Sequence, residues 1–202
     1  FAGNASAWVA AEAPLWFFWT LQNLEKHISA KALWERYGAA MKSILEAYRR
    51  GFGEKVKLHD NGLVWAAAEG ECLTWMNTIV DGKPVAQRAG YAVEIQALWY
   101  NAVSYTLALA RKYKDKAFVE AWAAEPAKTK ESFISKFWLD EGYLADYVND
   151  YETNDFRRAN MLVATALDYT MLSEEQMMDV MGVVRQHLLT PRGIRSLSPR
   201  NP

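Results

Sequence analysis

Carboxylate, amide and aromatic side chains are concentrated in a polar segment between two helical runs of this sequence. Residues 73–77 read LTWMN, and the run that follows them leads to Glu94 and Trp99. A carboxyl group held in an apolar setting can donate or accept a proton in catalysis. An amide such as Asn77 has no proton to give at a useful pKa, so it can only form hydrogen bonds.

The aromatic content is the unusual feature of the composition. The chain has nine Trp, ten Tyr and eight Phe among its 202 residues. Large aromatic side chains usually fill cores, and we expect most of these to do so. The others can form the flat platforms on which sugar rings sit.

Charge, cysteine and histidine content argue against several other classes of function. A formal net charge of −1 gives no electrostatic reason to expect a nucleic-acid or membrane partner. The single cysteine, Cys72, excludes an internal disulfide framework and fits a reducing compartment, so we expect a cytoplasmic protein. The histidines lack metal-ligand spacing and no glycine-rich phosphate loop is present, so we expect neither a metal nor another cofactor. The most apolar stretch, residues 5–24, contains Glu12, Pro14 and Gln22, and we do not expect it to span a membrane.

Apolar residues recur with helical spacing over most of the chain. Pro14 and Pro126 are expected to interrupt or restart helices. Ser173 and Gln176 have the spacing of a capping box at the start of the last predicted helix. The predicted helices cover residues 6–27, 33–50, 92–113, 118–137 and 158–169, with a final helix from Ser173 onwards.

Long irregular segments separate these helices, at residues 52–90, 138–155 and 189–202. The first is predicted to contain strands at residues 56–58 and 63–65 around the turn signal Asp60-Asn-Gly62, and the second a strand at residues 143–147. Loops of this length are uncommon unless they carry function. Helices joined by alternately short and long connections can stack as hairpins in a ring, with the long loops at one end. Periodicity alone does not distinguish such a ring from an open array or an irregular bundle of one all-α domain.

Four groups of polar residues resemble motifs of the glucosidase domain of glycogen debranching enzymes, the amylo-α-1,6-glucosidase family. The groups occur along the chain in the same order as in that family. The longest matches are VEIQALWYN at residues 93–101 and LLTPRGIRSLSP at residues 188–199, and both are specific. The shorter matches are EAPLWF at 12–17, DNGL at 60–63 with LTWMN, QRAGYA at 87–92, and GYLAD at 142–146 with RAN at 158–160.

The resemblance implies an all-α fold that is part of an (α/α)6 barrel, an α/α toroid with long, locally β-containing loops at one end. It implies hydrolysis, with inversion, of the α-1,6-linked glucose at branch points of glycogen or limit dextrin. Such enzymes use a carboxylic acid and a carboxylate base about 6.5–9.5 Å apart. The family's base lies downstream of the LSP motif. We therefore expect residues 1–202 to be a single domain that is an incomplete, middle portion of the barrel. We expect this portion to be inactive alone. Its expected partners are the α-glucan and the remaining barrel segments of the full-length chain.

The family's TWM motif ends in an Asp that looks like its general acid, whereas this chain has Asn77. Glu94 is the first choice for a displaced acid, because burial beside Trp75 and Trp99 would favour its protonated form. Structural roles remain open for these residues: a turn for Asn77, the core for Trp75 and a helix N-terminus for Glu94. The expected substrate-binding residues are Glu12, Trp16, Asp60, Trp75, Arg88, Glu94, Arg158 and Asn160.

Three functions fit this sequence. The long motif matches favour a debranching α-1,6-glucosidase. Asn77, Glu12 and Met161 replace family residues, and they favour a catalytically silent α-glucan-binding or scaffolding relative. A trehalase-like or glucoamylase-like toroid glycosidase is the third possibility.

Overall fold

Helices form about half of the chain, and short antiparallel strands lie in the segments that join them. The structure is a computed structural model that describes residues 10–201. The helices are α1 (Ala13–Glu25), α2 (Ala30–Arg50), α3 (Val93–Lys112), α4 (Lys116–Trp122), α5 (Glu125–Phe137), α6 (Val163–Ala166) and α7 (Glu174–His187), with a 3-10 turn at Ala159–Leu162.

Proline and serine residues set the starts of several helices, as the sequence predicts. Pro14 and Pro126 lie in the first turns of α1 and α5, where the missing backbone N–H leaves no helical hydrogen bond unmade. The predicted break near Pro126 is thus confirmed. Ser29 accepts a hydrogen bond from the backbone N–H of Ala32, so α2 begins earlier than predicted. Of the first predicted helix, residues 6–9 lie outside the described residues.

The helix predicted over residues 158–169 is wrong. The segment contains only the 3-10 turn and the single turn of α6. Arg158 has an extended backbone and forms an antiparallel β-bridge with Leu197, so pairing with a distant segment replaces the first turn. Leu167 is extended as well and ends α6 early.

Helices are the main elements, as predicted, and the strands between them form small antiparallel sheets. The locally β-containing loops that accompanied that prediction are confirmed, although residues 143–147 form two short strands in different sheets rather than one. Two-strand pairs are β1 (Val56–Leu58) with β2 (Val64–Ala66), β3 (Ile79–Val80) with β4 (Lys83–Pro84), β6 (Trp138–Leu139) with β7 (Tyr143–Leu144), and β10 (Leu189–Thr190) with β11 (Gly193–Ile194); β5 (Tyr91–Ala92), β8 (Tyr147–Val148) and β9 (Thr153–Asn154) form a three-stranded sheet.

Helix α3 is the central element of the core. It packs against α1, α2, α4, α5 and α6, and most of its residues, polar ones included, are buried. Trp99 on α3 packs against Tyr48 of α2 and Trp122 of α4. No helix in residues 10–201 is long and apolar enough to cross a membrane.

The long segments meet one another, as expected for loops gathered at one end. Strand β5, directly after the first segment, pairs with β8 from the second, and the bridge between Arg158 and Leu197 brings in the third. Gly90 makes this approach possible: it has φ +128°, and a Cβ there would lie 2.5 Å from the carbonyl oxygen of Val148. The arrangement does not itself show a toroid, so the (α/α)6 barrel stays a prediction.

The predicted capping box of α7 is present, and it should be measurable in stability. The Ser173 hydroxyl accepts from the backbone N–H of Gln176, and the Gln176 side chain accepts from the backbone N–H of Ser173. We expect Ser173→Ala to lower the free energy of unfolding by about 1 kcal/mol, because the backbone N–H of Gln176 loses its acceptor. Chemical denaturation measures this, with the exposed Ser43→Ala inside α2 as the control. Equal effects of the two substitutions would contradict the expectation.

Candidate functional site

A buried arginine holds two buried carboxylates where the long segments meet. Arg88 lies just before β5, Glu94 in the first turn of α3 and Asp146 between β7 and β8; all three are 4% exposed or less. Arg88 binds both oxygens of Glu94, with Nη2 2.7 Å from Oε2. It also donates from Nε to Asp146 Oδ2 at 2.7 Å and from Nη2 to Oδ1 at 3.0 Å. The planar guanidinium thus fixes two carboxylates at once.

Asp146 connects this ion pair to two further residues expected in the site. Its Oδ1 accepts a hydrogen bond from Asn160 Nδ2 at 2.8 Å, and its Oδ2 lies 3.2 Å from Arg158 Nε. Its backbone carbonyl accepts from Arg88 and from the N–H of Val93, which attaches it to the start of α3. Burial raises the pKa of Asp146, and Arg88 opposes that shift. Sequence reasoning did not select Asp146; its only signal was its place at the end of GYLAD.

Trp75 is anchored to this cluster while one side of its ring stays open. Its indole Nε1 donates to Asn160 Oδ1 at 3.2 Å, yet the residue is 52% exposed. The preceding Thr74 is buried, and its hydroxyl lies 3.5 Å from Arg88 Nη1. Trp75 is therefore not a core residue, and the loop holds it as an oriented, accessible aromatic surface.

Glu12 lies beside the same loop, at the start of α1. The backbone N–H of the preceding Ala11 donates to the carbonyl of Leu73 at 2.8 Å, which attaches α1 to the loop. Glu12 is 4% exposed, and within residues 10–201 its Oε2 has no hydrogen-bond partner. Burial, and more weakly the charge of Glu94, raise the pKa of Glu12 to about 7; hydrogen bonding by backbone groups and the charge of Arg88 oppose the shift.

The other predicted site residues lie outside the hydrogen-bonded cluster. Trp16 follows Glu12 by one turn of α1, is 40% exposed and contacts Trp19 edge-on. Asp60 is exposed in the turn between β1 and β2. Asn77 is also exposed, and in the described part of the chain its side chain forms no hydrogen bond. The structure thus brings six predicted residues together: Glu12, Trp75, Arg88, Glu94, Arg158 and Asn160.

The chemical capacity of the cluster depends on which carboxyl oxygens are available. Both oxygens of Glu94 are held by Arg88, and the role of Glu94 as a displaced acid stays a prediction. The described residues contain no group of three His, Cys, Asp or Glu side chains that could hold a metal ion. The polar groups around Trp75 can orient a hydroxyl-rich ligand against its ring. Glu12 is the carboxyl of this site that can change its protonation near neutral pH.

Comparison with known proteins identifies the family. A GH78 family rhamnosidase of Bacillus sp. GL1 has a similar fold, with a TM-score of 0.63 and 19% sequence identity over 91% of this chain and 18% of the rhamnosidase chain. At that identity the likeness shows the fold alone. No curated protein sequence matches the chain. The family model described as amylo-alpha-1,6-glucosidase matches residues 1–202, so the chain belongs to the amylo-alpha-1,6-glucosidase family.

Proposed function

We propose that this chain carries the sugar-binding part of an inverting glucosidase that hydrolyses the α-1,6-linked glucose at branch points of glycogen or limit dextrin. The observation that carries the proposal is the buried network of Arg88, Glu94 and Asp146, which holds Trp75 through Asn160 as an open aromatic surface. Family membership supports a debranching glucosidase over a trehalase-like or glucoamylase-like enzyme.

Each residue of the network has a distinct part in this proposal. The face of Trp75 stacks on a glucose ring, Arg158 offers a polar group at its edge, and Asn160 holds the indole in place. Arg88 is buried with its donors bound to carboxylates, so we assign it to positioning rather than to direct contact with the sugar. Such a preorganised network keeps the binding groups in place before the ligand arrives.

The rest of the reaction is proposed to depend on chain outside residues 1–202. Inversion needs a carboxylate base that activates water on the opposite side of the sugar from the acid. We propose that a segment from the remainder of an (α/α)6 barrel supplies this base. A cytoplasmic location, where glycogen is accessible, accompanies the proposal.

Binding without hydrolysis by the 202-residue chain tests this assignment. We expect a fluorescence titration with maltooligosaccharides or limit dextrin to saturate, and an assay of glucose release to show no turnover, because the base is proposed to lie outside these residues. Trp75→Ala should weaken binding about tenfold or more, the effect of losing about 1.4 kcal/mol. Tyr151→Ala, at a fully exposed aromatic residue outside the network, is the matched control. Normal glucose release, or a binding affinity that Trp75→Ala leaves unchanged, would contradict the proposal.

A catalytically silent α-glucan-binding relative is the second candidate, and Asn77 favours it because an amide cannot donate the proton. The two candidates predict different results for Asn77→Asp in the full-length protein. A silent relative that lost only its acid would gain hydrolysis by about 10²-fold or more. An enzyme whose acid lies elsewhere would already release glucose and would gain little.

A further inference from the structure

The buried carboxyl groups of the site differ in how many of their oxygens are already bound. Glu94 has both oxygens on Arg88. Asp146 has its oxygens on Arg88, Asn160 and Arg158. Glu12 is as deeply buried as these, yet its Oε2 has no partner among the described residues. An unpaired buried oxygen is unfavourable, so this atom is expected either to carry a proton or to meet a ligand.

Glu12 also adjoins the surfaces on which a sugar could stack. The backbone N–H of Ala11, the residue before it, donates to the carbonyl of Leu73, two residues before Trp75, the half-exposed tryptophan of the loop. On its other side α1 begins, and the half-exposed Trp16 lies one helical turn away. Glu12 therefore lies at the start of α1, beside the loop where the proposed function puts a glycosidic bond.

We infer that Glu12 is the proton donor of this site, acting in place of the acid that Asn77 cannot provide. The inference rests on the function proposed above. Glu12 stands where the resembling family motif has the shorter Asp, so this chain has a longer carboxyl at position 12 and an amide at position 77. The Glu12 side chain extends further from the backbone than an Asp would, and Asn77 leaves no second acid at its position.

The reaction step balances with Glu12 in this role. The carboxyl O–H of Glu12 protonates the glycosidic oxygen as the bond from that oxygen to the anomeric carbon breaks, and the bonding electron pair stays on the oxygen. Water adds to the anomeric carbon and gives its proton to the carboxylate base proposed to lie outside this chain. The products are glucose and the shortened glucan, and the Glu12 carboxylate recovers its proton from solvent.

The charges that face Glu12 are compatible with a group that is partly protonated at neutral pH. Glu94 is the negative neighbour and Arg88 the positive one, and Arg88 is already shared between two carboxylates. The nearby hydroxyl of Tyr48 donates to the carbonyl of Ala11 rather than to Glu12. Burial raises the pKa of Glu12 to about 7, so this carboxyl can hold its proton closer to neutral pH than an exposed glutamate can.

Two substrates that differ in their need for an acid test the inference in the full-length protein. Limit dextrin requires protonation of its leaving oxygen, whereas α-glucosyl fluoride releases fluoride without a proton. We expect Glu12→Gln to reduce hydrolysis of limit dextrin by about 10²–10⁴-fold and that of the fluoride by less than about tenfold. The matched control is Glu125→Gln, which removes another buried carboxyl with an unpaired oxygen in the described region, at the start of α5; both rates should stay unchanged.

The pH dependence of hydrolysis by the unaltered protein is a second measurement, and it does not depend on whether a variant folds. Hydrolysis of limit dextrin should fall as the pH rises above about 7, because Glu12 loses its proton. Hydrolysis of α-glucosyl fluoride should lack this decline. A decline shared by both substrates, or by neither, would overturn the assignment.

The contrary results separate this inference from the proposed function. Equal losses on both substrates in Glu12→Gln would make Glu12 a binding residue, and no loss on either would give it no role; the proposed function survives both results. Activity of the unaltered protein on the fluoride alone would show that the site has no acid, which overturns the inference. No hydrolysis of either substrate would overturn the proposed function as well.

Discussion

Arg88→Met should lower the free energy of unfolding by about 3–5 kcal/mol, which is a large part of the stability of an ordinary domain. Arg88 is buried and is the shared partner of Glu94 and Asp146. Its removal leaves two buried carboxylates close together, with only Asn160 and Arg158 still bound to Asp146. Uncompensated buried charge is what makes the loss of one partner so unfavourable.

Urea denaturation of the variant and the unaltered protein measures this effect. Lys55→Met is the matched control, because Lys55 and Glu71 form an ion pair that is about half exposed, and such pairs contribute about 0–1 kcal/mol. The deficit of Arg88→Met should shrink as the pH falls, because protonation removes the charge from the stranded carboxylates. An effect as small as that of Lys55→Met would show that the buried network does not hold the long segments together.

Glu12→Gln is expected to stabilise the protein at pH 8 by about 3 kcal/mol. The pKa of Glu12 rises from its ordinary value of 4.5 to about 7 on folding, and a displacement of that size corresponds to about 3 kcal/mol. Because folding raises this pKa, ionisation of Glu12 does not lower the stability of the unaltered protein below pH 4.5. As the pH rises from 4.5 through 7, the unaltered protein loses about 3 kcal/mol of its stability. Glutamine stays neutral throughout, so the difference between the two proteins should be near zero at pH 4.5 and should reach its maximum above pH 7.

Unfolding by urea at pH 4.5, 6, 7 and 8 follows this difference, and Glu69→Gln, at an exposed carboxyl, is the control. A pH-independent difference would show that Glu12 is not held in its neutral form. A gain in stability together with a selective loss of hydrolysis of limit dextrin would identify a carboxyl that is retained for activity at the expense of stability. The stability experiment also establishes that the variant folds, which makes its rates with the two substrates interpretable.

Asn77 and Asp146 show how differently a motif and a contact network select site residues. The motif drew attention to position 77, which is exposed and forms no side-chain hydrogen bond in the described residues. Asp146, which the sequence did not single out, joins Arg88, Arg158 and Asn160. Arg88 and Asp146 are 58 residues apart in the chain, so no local spacing could have indicated that they form an ion pair.

Elements that depend on neighbouring residues can be predicted from the amino-acid sequence, and its longest motifs indicate the family. Pro14 and Pro126 place helix starts, Ser173 and Gln176 close a capping box, and the turn at Asp60 joins two strands. The folded structure was needed to show that the helix predicted from residue 158 gives way to a bridge with Leu197. It was also needed to show which carboxyl of the site keeps an unpaired oxygen among the described residues. The difference lies in the range of the interactions. Caps and turns act over a few residues of chain, whereas the burial of Glu12 and the ion pairs of Arg88 depend on segments that meet only when the chain folds.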